Sequence, residues 1–454
     1  MANSRPQVFI ESAALYMGWR DETRNLTELI FDTVRHALDD SPHGLEGIES
    51  VVLAAHDLVD GRSLSSMVTA PAAGAYLRDE TRFSDDGAVA LAAAIARIEA
   101  GEAKRSIVAA WGRASEHDVN AVSMSMFDPF IQGPMGLNEI QVSAMRTQSW
   151  LHAGGAYEHH PSAIARRRSA VAANERAVHS PSGMSRASFP LTPEDLPVWA
   201  DVVAAVVLSS EGGAIQIKGL GQASEPYAIG DRNLLAMPSA RQACDLALKE
   251  AGLRIRDLDL FEIGGLTLMD EAIVLEAIGL ADPGQGLSVL ANHPNVNPSG
   301  GCSAGFCDPA MGLVRVVEAA LQLQGRAGAM ERAGVAADGA GRVARAVPAG
   351  AEAAGIPLLA DDGPWAIDVC VDGADEVSRE LDVIKGGGGA LLKEKIVAAS
   401  AKQFIVLVDH TKRVPVLGGS FPLPIEVVPF GWGSTAREIG ALTQSRVVLR
   451  ERNG

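Results

Sequence analysis

The sequence predicts a layered α/β protein made of two parts, and three observations support this prediction. Apolar runs of strand length alternate with Ala-rich helical stretches through most of the 454 residues, a pattern typical of α/β layering. Hydrophobic residues make up 47% and charged residues 21% of the chain, which is typical of a globular protein with ample core. Residues 325–347 consist almost wholly of Gly, Ala, Arg and Val, so we expect a domain boundary there.

The boundary divides the chain into residues 1–330 and residues 331–454. In the first part, length and periodicity predict strands at 51–55, 106–110, 202–208, 215–217 and 258–263. The same criteria predict helices at 87–100, 239–251, 270–278 and 311–324. Residues 127–178 are rich in His, Arg, Gly and Met and have few strand signals. We expect them to form a loop or helical cap outside the layered core.

In the second part we expect strands at 365–372, 403–409 and 425–430 and a helix at 390–401. Ligands of open α/β sheets bind beyond the carboxyl ends of the strands. Acidic and basic residues that follow these strands are therefore candidates for a site.

Charge and cysteine content exclude several classes of function. The net charge of −17 argues against a nucleic-acid or anionic-membrane surface, because both favour a basic face. No apolar stretch reaches the roughly 20 residues that span a bilayer, and the start has no secretory signal pattern. Few cysteines without a Cys-x-x-Cys pair indicate a reducing cytoplasm; they are Cys244, Cys302, Cys307 and Cys370.

Three groups of residues in the second part could carry chemistry. Asp372 and Asp375 come directly after a predicted strand, and Lys385 precedes four glycines that open a helix. Glycine amides, a helix N-terminus and a lysine can together hold a phosphate or an enediolate oxygen. Glu394 lies on the first turns of that helix and could transfer a proton, and Lys412 follows the next strand. Each piece alone is more often a solvated turn, a flexible loop or a surface lysine.

The order and spacing of these residues match those of a known family. The segment VDGADEVSRELDVIKGGGGALLKEKIVAASAKQFIVLVDHTKRVPVLGGSFPLPIEVVPFGW resembles the A-type ribose-5-phosphate isomerases. The resemblance implies isomerisation of a small phosphorylated sugar, without metal or organic cofactor. It implies that Asp372 and Asp375 serve ring opening and substrate binding and that Glu394 is the acid/base. Lys385 would stabilise the enediolate.

By the same resemblance, the phosphate-binding groups would be Lys412 and the amides of Gly386, Gly387 and Gly388. The family's Gly-Ser-Thr phosphate loop has no counterpart between residues 325 and 364. Its late Thr-Asp-Asn-Gly-Asn segment is also absent. We therefore expect residues 331–454 to form an isomerase-like segment that is incomplete at both ends.

The first part resembles the thiolase superfamily, in particular its sterol-carrier-like branch. The resemblance rests on GAVALAAAIARIEAGEAKRSIVAA, FDPFIQGPMGL and the start of a loop at Asn297-Pro298-Ser299-Gly300-Gly301. The family's catalytic positions differ here, since Ser84 stands for the cysteine nucleophile, Gly264 lies in the second motif and Phe306 replaces a histidine. Serine lacks the thiolate of cysteine, and phenylalanine transfers no proton.

Two residues could compensate for these losses. Cys307 could be a displaced nucleophile, although free cysteines are commonly buried, and His293 could replace the lost base. Without a nucleophile, the thiolase-like part would be an acyl-CoA-related subunit beside a thiolase-type partner, or a cysteine-independent carbon–carbon lyase. Family resemblance also implies an oligomer. Two hypotheses thus stand: a ribose-5-phosphate isomerase with an appended scaffold, or a thiolase-like protein with a passive tail.

Overall fold

The computed structural model describes most of the chain before residue 331 and separate stretches after it. The chain divides into two compact units, Met1–Gly355 and Ile356–Gly454. The described residues are 6–60, 66–178, 186–330, 343–344, 367–372, 374–379, 381–385, 395, 398–406, 408, 412–418, 425, 432–443 and 447.

A six-stranded mixed sheet forms the centre of the first unit. Its strands are β1 (Val8–Gly18), β2 (Ser50–Ala54), β3 (Asp79–Phe83), β4 (Arg105–Arg113), β5 (Asp201–Ser209) and β6 (Ile215–Ile217). They lie in the order β3-β2-β4-β5-β1-β6. β2 runs parallel to β3 and β4, and the other neighbouring strands are antiparallel. Every residue of β4 and β5 is buried, as expected of central strands covered on both faces.

Eleven described helices accompany this sheet. They are α1 (Leu26–Asp39), α2 (Asp57–Asp60), α3 (Ser66–Thr69), α4 (Gly87–Glu99), α5 (Val119–Ser125), α6 (Glu139–His152), α7 (His160–Ala173), α8 (Pro238–Ala251), α9 (Leu268–Ala277), α10 (Gly286–Asn292) and α11 (Asp308–Leu323). α1 packs on one face of the sheet, and α4 and α11 pack on the other. This arrangement gives three layers around two apolar cores.

Side-chain caps mark the starts of α1 and α4, one helix on each face of the sheet. Asn25 and Glu28 form a capping box at the start of α1, which satisfies amide groups that a helix start leaves unpaired. The buried face of α1 includes Leu29 and Ile30, each worth about 1.5–3 kcal/mol of burial. Asp86 caps α4 by accepting the N–H of Ala88 over 2.8 Å.

A third apolar core joins helices α6 to α10. It includes Trp150 of α6, Ile164 of α7, and Ile273 of α9. β7 (Leu260–Phe261) lies beside it and pairs in parallel with β8 (Val343–Ala344). The segment 127–178, expected to leave the layered core, contains α6 and α7, and both pack against the helices that follow the sheet.

The second unit contains short strands and one long helix among its described residues. β9 (Ile367–Asp372) pairs in parallel with β12 (Ala401–Val406), and β10 (Glu376–Val377) forms a hairpin with β11 (Val383–Ile384). α12 (Trp432–Thr443) lies further along the chain.

The described elements correct several predicted boundaries. The strand predicted at 258–263 is reduced to β7, because the flanking residues bond to loops rather than to a neighbouring strand. Ala401 begins β12 and does not end a helix. The sequence prediction missed β1, α1 and α12. Except for Ile425, the strand predicted at 425–430 lies outside the described residues.

Candidate functional site

In the second unit, two parallel strands end at the predicted isomerase residues. Asp372, the last residue of β9, lies opposite Val406, the last residue of β12. The segment that follows Asp372 therefore begins at the edge of the sheet where ligands of open α/β folds bind.

The hairpin of β10 and β11 places the backbones of Asp375 and Lys385 close together. Glu376 pairs with Ile384 in the antiparallel register. The N–H of Asp375 donates to the carbonyl oxygen of Ile384 over 2.7 Å. Asp375 thus lies directly across from Ile384, the residue before Lys385, and Asp375 and Lys385 are both partly exposed. The backbones of Asp375 and Lys385 therefore lie at the open end of this hairpin, one carrying a carboxylate side chain and the other an ammonium side chain.

The loop 412–418 is attached to the same hairpin. Arg413 forms a β-bridge with Val377, and the N–H of Val414 donates to the carbonyl oxygen of Val377 over 2.9 Å. Lys412 therefore lies next to a residue that pairs with the hairpin. The structure gathers three of the predicted residues, Asp375, Lys385 and Lys412, around one short element.

The remaining predicted isomerase residues are not placed. Glu394, Gly386, Gly387 and Gly388 lie outside the described residues. Their roles in proton transfer and phosphate binding stay predictions.

In the first unit, Ser84 lies at the surface just after β3. Two residues later, Asp86 caps α4 and also accepts the N–H of Gly312 on α11 over 2.7 Å. The starts of α4 and α11 are thereby tied together close to Ser84. This is the place where the resemblance puts the thiolase nucleophile.

Phe306 and Cys307 are both part of the apolar core. Phe306 packs edge-on against Trp199 with ring centroids 5.3 Å apart. The sulfur of Cys307 lies against Gly112 of β4, where any side chain would collide with it. Burial and the nearby carboxylate of Asp308 raise the pKa of the Cys307 thiol well above its usual value. A thiol that stays protonated and buried is a poor nucleophile.

Gly264 lies between β7 and α9, beside a buried ionic group. Glu262 is 1% exposed and accepts from Arg315 over 3.0 Å and from the hydroxyl of Ser299 over 2.7 Å. Burial, only partly offset by Arg315, raises the pKa of Glu262 to about 7. A second buried pair joins Arg167 to Glu271.

These ionic groups fix the loop that follows Asn297. Asn297 donates to Glu271 over 2.7 Å and accepts the N–H of Ile263 over 2.6 Å. The amide of Cys302 donates to Glu271 over 3.0 Å. The loop thus depends on two buried carboxylates, each bonded both to an arginine and to the loop itself. His293, considered as a substitute base, packs edge-on against Phe261 with centroids 6.1 Å apart.

A group of three carboxylates was missed by sequence reasoning. Asp308 and Glu139 begin α11 and α6, and Asp86 caps α4. Burial, together with Glu139 and Asp86, raises the pKa of Asp308 well above its usual value. Burial, together with Asp270, also raises the pKa of Glu139. A raised pKa favours the protonated form of a carboxyl group, which is the form that can act as a general acid.

The described ranges contain neither a candidate metal site nor a helix that could span a membrane. Among these residues, no three His, Cys, Asp or Glu side chains are grouped so that they could hold a metal ion. Within the same stretches, none of the helices has the length and apolar character to cross a membrane.

Two family models match different parts of the chain. The model for ribose 5-phosphate isomerase A (phosphoriboisomerase A) matches residues 344–454. The model for the thiolase C-terminal domain-like family matches residues 221–346. The chain is a composite of a thiolase-like part and a ribose-5-phosphate isomerase A-like part.

A curated relative matches the isomerase-like part. Ribose-5-phosphate isomerase A of Bradyrhizobium diazoefficiens is 60% identical over 85 residues, which are 19% of this chain and 35% of that protein. The chain thus spans about a third of the length of this curated relative.

Solved structures resemble the thiolase-like part. The Ltp2-ChsH2(DUF35) aldolase has a TM-score of 0.59 at 15% identity, covering 72% of this chain and 92% of that one. A monomeric SCP2-thiolase-like protein type 1 from Mycobacterium smegmatis has a TM-score of 0.54 at 14% identity, covering 71% and 72%. At such low identity these likenesses show the fold alone. They confirm the predicted layered α/β class.

Proposed function

We propose that residues 344–454 bind a phosphorylated pentose and interconvert ribose 5-phosphate and ribulose 5-phosphate through an enediolate. The hairpin that gathers Asp375, Lys385 and Lys412 supports this proposal most directly. The 60% identity to an isomerase A over 85 residues adds to it. The unit supplies a carboxylate and two cationic groups, which is the chemistry that an anionic sugar requires.

Each residue then has a distinct task. Asp372 and Asp375 assist opening of the sugar ring and hold its hydroxyl groups. Glu394 takes the proton from C2 of the open aldose and returns it to C1 of the enediolate, while the proton of the C2 hydroxyl passes to O1, which yields the ketose. Lys385, with the amides of the following glycines, stabilises the enediolate oxygen, and Lys412 binds the phosphate.

The test is isomerisation by the full chain in D₂O. Incubation of ribose 5-phosphate should give ribulose 5-phosphate, with deuterium incorporated at the carbon that receives the proton. Glu394→Gln should lower turnover by at least about 100-fold, because general acid–base catalysis contributes about that much. NMR of the sugar carbons measures both quantities.

A matched control removes a carboxylate elsewhere. Glu438 is exposed on α12, so Glu438→Gln should leave turnover unchanged. Equal turnover in the unaltered chain and Glu394→Gln would indicate a contaminating isomerase and refute the proposal. No turnover in a folded sample would also refute it.

A second candidate function concerns the thiolase-like unit, and the carboxylates of Asp308, Glu139 and Asp86 favour it. Burial keeps Cys307 protonated, which disfavours acyl transfer through a thiolate. The part-buried carboxyl groups could instead serve a retro-aldol cleavage of a 3-hydroxyacyl-CoA. A base removes the hydroxyl proton, the carbon–carbon bond breaks, and a protonated carboxyl group returns a proton to the thioester enolate.

This candidate is tested with a 3-hydroxyacyl-CoA as substrate. Release of an aldehyde or ketone that Asp308→Asn abolishes would support cleavage. Binding of the thioester without release would favour a non-catalytic acyl-CoA-related subunit. If the chain neither binds nor cleaves the thioester, the thiolase-like unit is a scaffold for the isomerase.

The proposal extends to the oligomeric state and the cellular compartment of the protein. We expect an oligomer, formed with a second copy or with a thiolase-type partner subunit, in the cytoplasm. Light scattering of the purified chain alone and beside a thiolase-type partner measures the assembly.

A further inference from the structure

Glu376 is a buried carboxylate that the proposed isomerase reaction leaves without a task. It lies in β10 directly after Asp375, and only 2% of it is exposed. Its Oε2 accepts the N–H of Gly418 over 2.7 Å. Burying a carboxylate is costly unless hydrogen bonds compensate. The contact to Gly418 is therefore a constraint built into this unit.

This contact completes the attachment of the loop 412–418. At the near end, Arg413 bridges to Val377 and the N–H of Val414 donates to the Val377 carbonyl oxygen over 2.9 Å. At the far end, the amide of Gly418 reaches the Glu376 side chain. Gly418 has a φ of +78°, a conformation that glycine adopts without strain. Both ends of the loop are thus held by two consecutive residues of β10.

Lys412 occupies the first position of this loop. A lysine side chain is long and flexible, so its ammonium group binds well only when its backbone is fixed. The pairing of Asp375 with Ile384 already fixes β10 relative to Lys385. The position of Lys412 relative to Asp375 and Lys385 therefore depends on how firmly the loop is held to β10.

We propose that Glu376 is a positioning residue that holds Lys412 where it binds the phosphate of the sugar. The inference rests on the proposed isomerase function and extends it to a residue outside the reacting groups. Glu376 acts through the Gly418 amide and touches neither sugar nor phosphate. Its loss should weaken binding of the phosphorylated substrate much more than it slows the chemical step.

The test compares three variants of the full chain. Glu376→Ala removes the acceptor and should raise the KM for ribose 5-phosphate about tenfold or more, with kcat reduced less than threefold. Glu376→Gln keeps a carbonyl acceptor at the same reach and should restore a KM close to that of the unaltered chain. Asp382→Asn alters an exposed carboxylate in the turn of the same hairpin and serves as the control.

Combining variants separates positioning from general damage. In a Lys412→Ala background, adding Glu376→Ala should raise KM no further, because the group that it positions is gone. Ribose, which lacks the phosphate, should be bound equally by the unaltered chain and Glu376→Ala. If Glu376→Ala does not fold, as judged by circular dichroism, Glu376→Asp takes its place, since it keeps the charge but shortens the reach.

The outcomes distinguish the two proposals. Turnover in the unaltered chain with an unchanged KM in Glu376→Ala would overturn the positioning role and leave the isomerase function standing. A loss confined to kcat, or effects of Glu376→Ala and Lys412→Ala that multiply, would also overturn it. Absence of turnover in the unaltered chain would remove the isomerase function, and the role of Glu376 with it.

Discussion

Glu262 should make the stability of the first unit fall as the pH rises. Its carboxyl group is 1% exposed, and burial raises its pKa from 4.5 to about 7. Between these values the folded chain binds a proton that the unfolded chain has lost. The contribution of Glu262 to the free energy of unfolding is therefore greatest below about pH 4.5 and is lost as the pH rises through 7. The raised pKa of Glu262 should lower the free energy of unfolding by about 3 kcal/mol between pH 4.5 and 8.

Urea unfolding at several pH values between 5 and 8 measures this effect. Tryptophan fluorescence reports on the first unit because Trp111 and Trp150 lie in two of its apolar cores. Glu262→Gln should remove most of the pH-dependent loss, whatever its absolute stability. Glu175 is exposed, and Glu175→Gln should keep the loss. If Glu262→Gln and the unaltered chain lose the same stability over this range, Glu262 is ionised throughout and the reasoning is wrong.

Three further predictions concern contacts in the first unit. Gly112→Ala should destabilise it by about 1–3 kcal/mol, because the new methyl group meets the sulfur of Cys307; calorimetry should show recovery when Cys307→Ala is added. Asp86→Ala should cost about 1–2 kcal/mol in urea unfolding, because α4 loses its cap and Gly312 its acceptor. The thiol of Cys307 should not react with an aromatic disulfide reagent until urea unfolds the chain, because burial raises its pKa; rapid reaction in the native state would contradict its placement.

The candidate residues of the isomerase-like part could be singled out from the sequence because they lie close together along the chain. Asp372, Asp375 and Lys385 follow one another within a single strand and hairpin. The loop that begins at Lys412 comes one strand later. Residues that are close in the sequence are also close in space here, so their order along the chain indicated which residues lie near one another. What could not be predicted is the hydrogen bond from Gly418 to Glu376, since it depends on the path of the loop.

The first strand was missed for a specific physical reason. β1 carries the polar residues Glu11 and Ser12 within an otherwise apolar run. Both are buried, because Glu11 pairs with Arg105 over 2.6 Å and Ser12 donates to the carbonyl oxygen of Ala37. Polar residues in a central strand obscure its periodicity. Their partners lie far along the chain, so sequence patterns alone do not indicate that they are buried.

The carboxylates at the starts of three helices pose the same difficulty. Asp86, Glu139 and Asp308 lie far apart in the sequence, and each looks like an ordinary acidic residue of a first helical turn. Only the tertiary packing, with α4 against α11, brings the three together and raises the pKa of Asp308 and Glu139. The fold class could thus be predicted from local patterns, whereas this group required the tertiary structure.

The pairing of β7 with β8 lies within the first unit, at the point in the chain where one family likeness gives way to the other. Ala344 lies within the range shared by both family matches, yet its backbone is paired with Phe261 of the thiolase-like unit. Cutting the chain where the isomerase likeness begins would leave one side of Phe261 as an open sheet edge, and such edges promote aggregation. The point where one likeness gives way to the other therefore differs from the point where the chain could be separated into stable fragments.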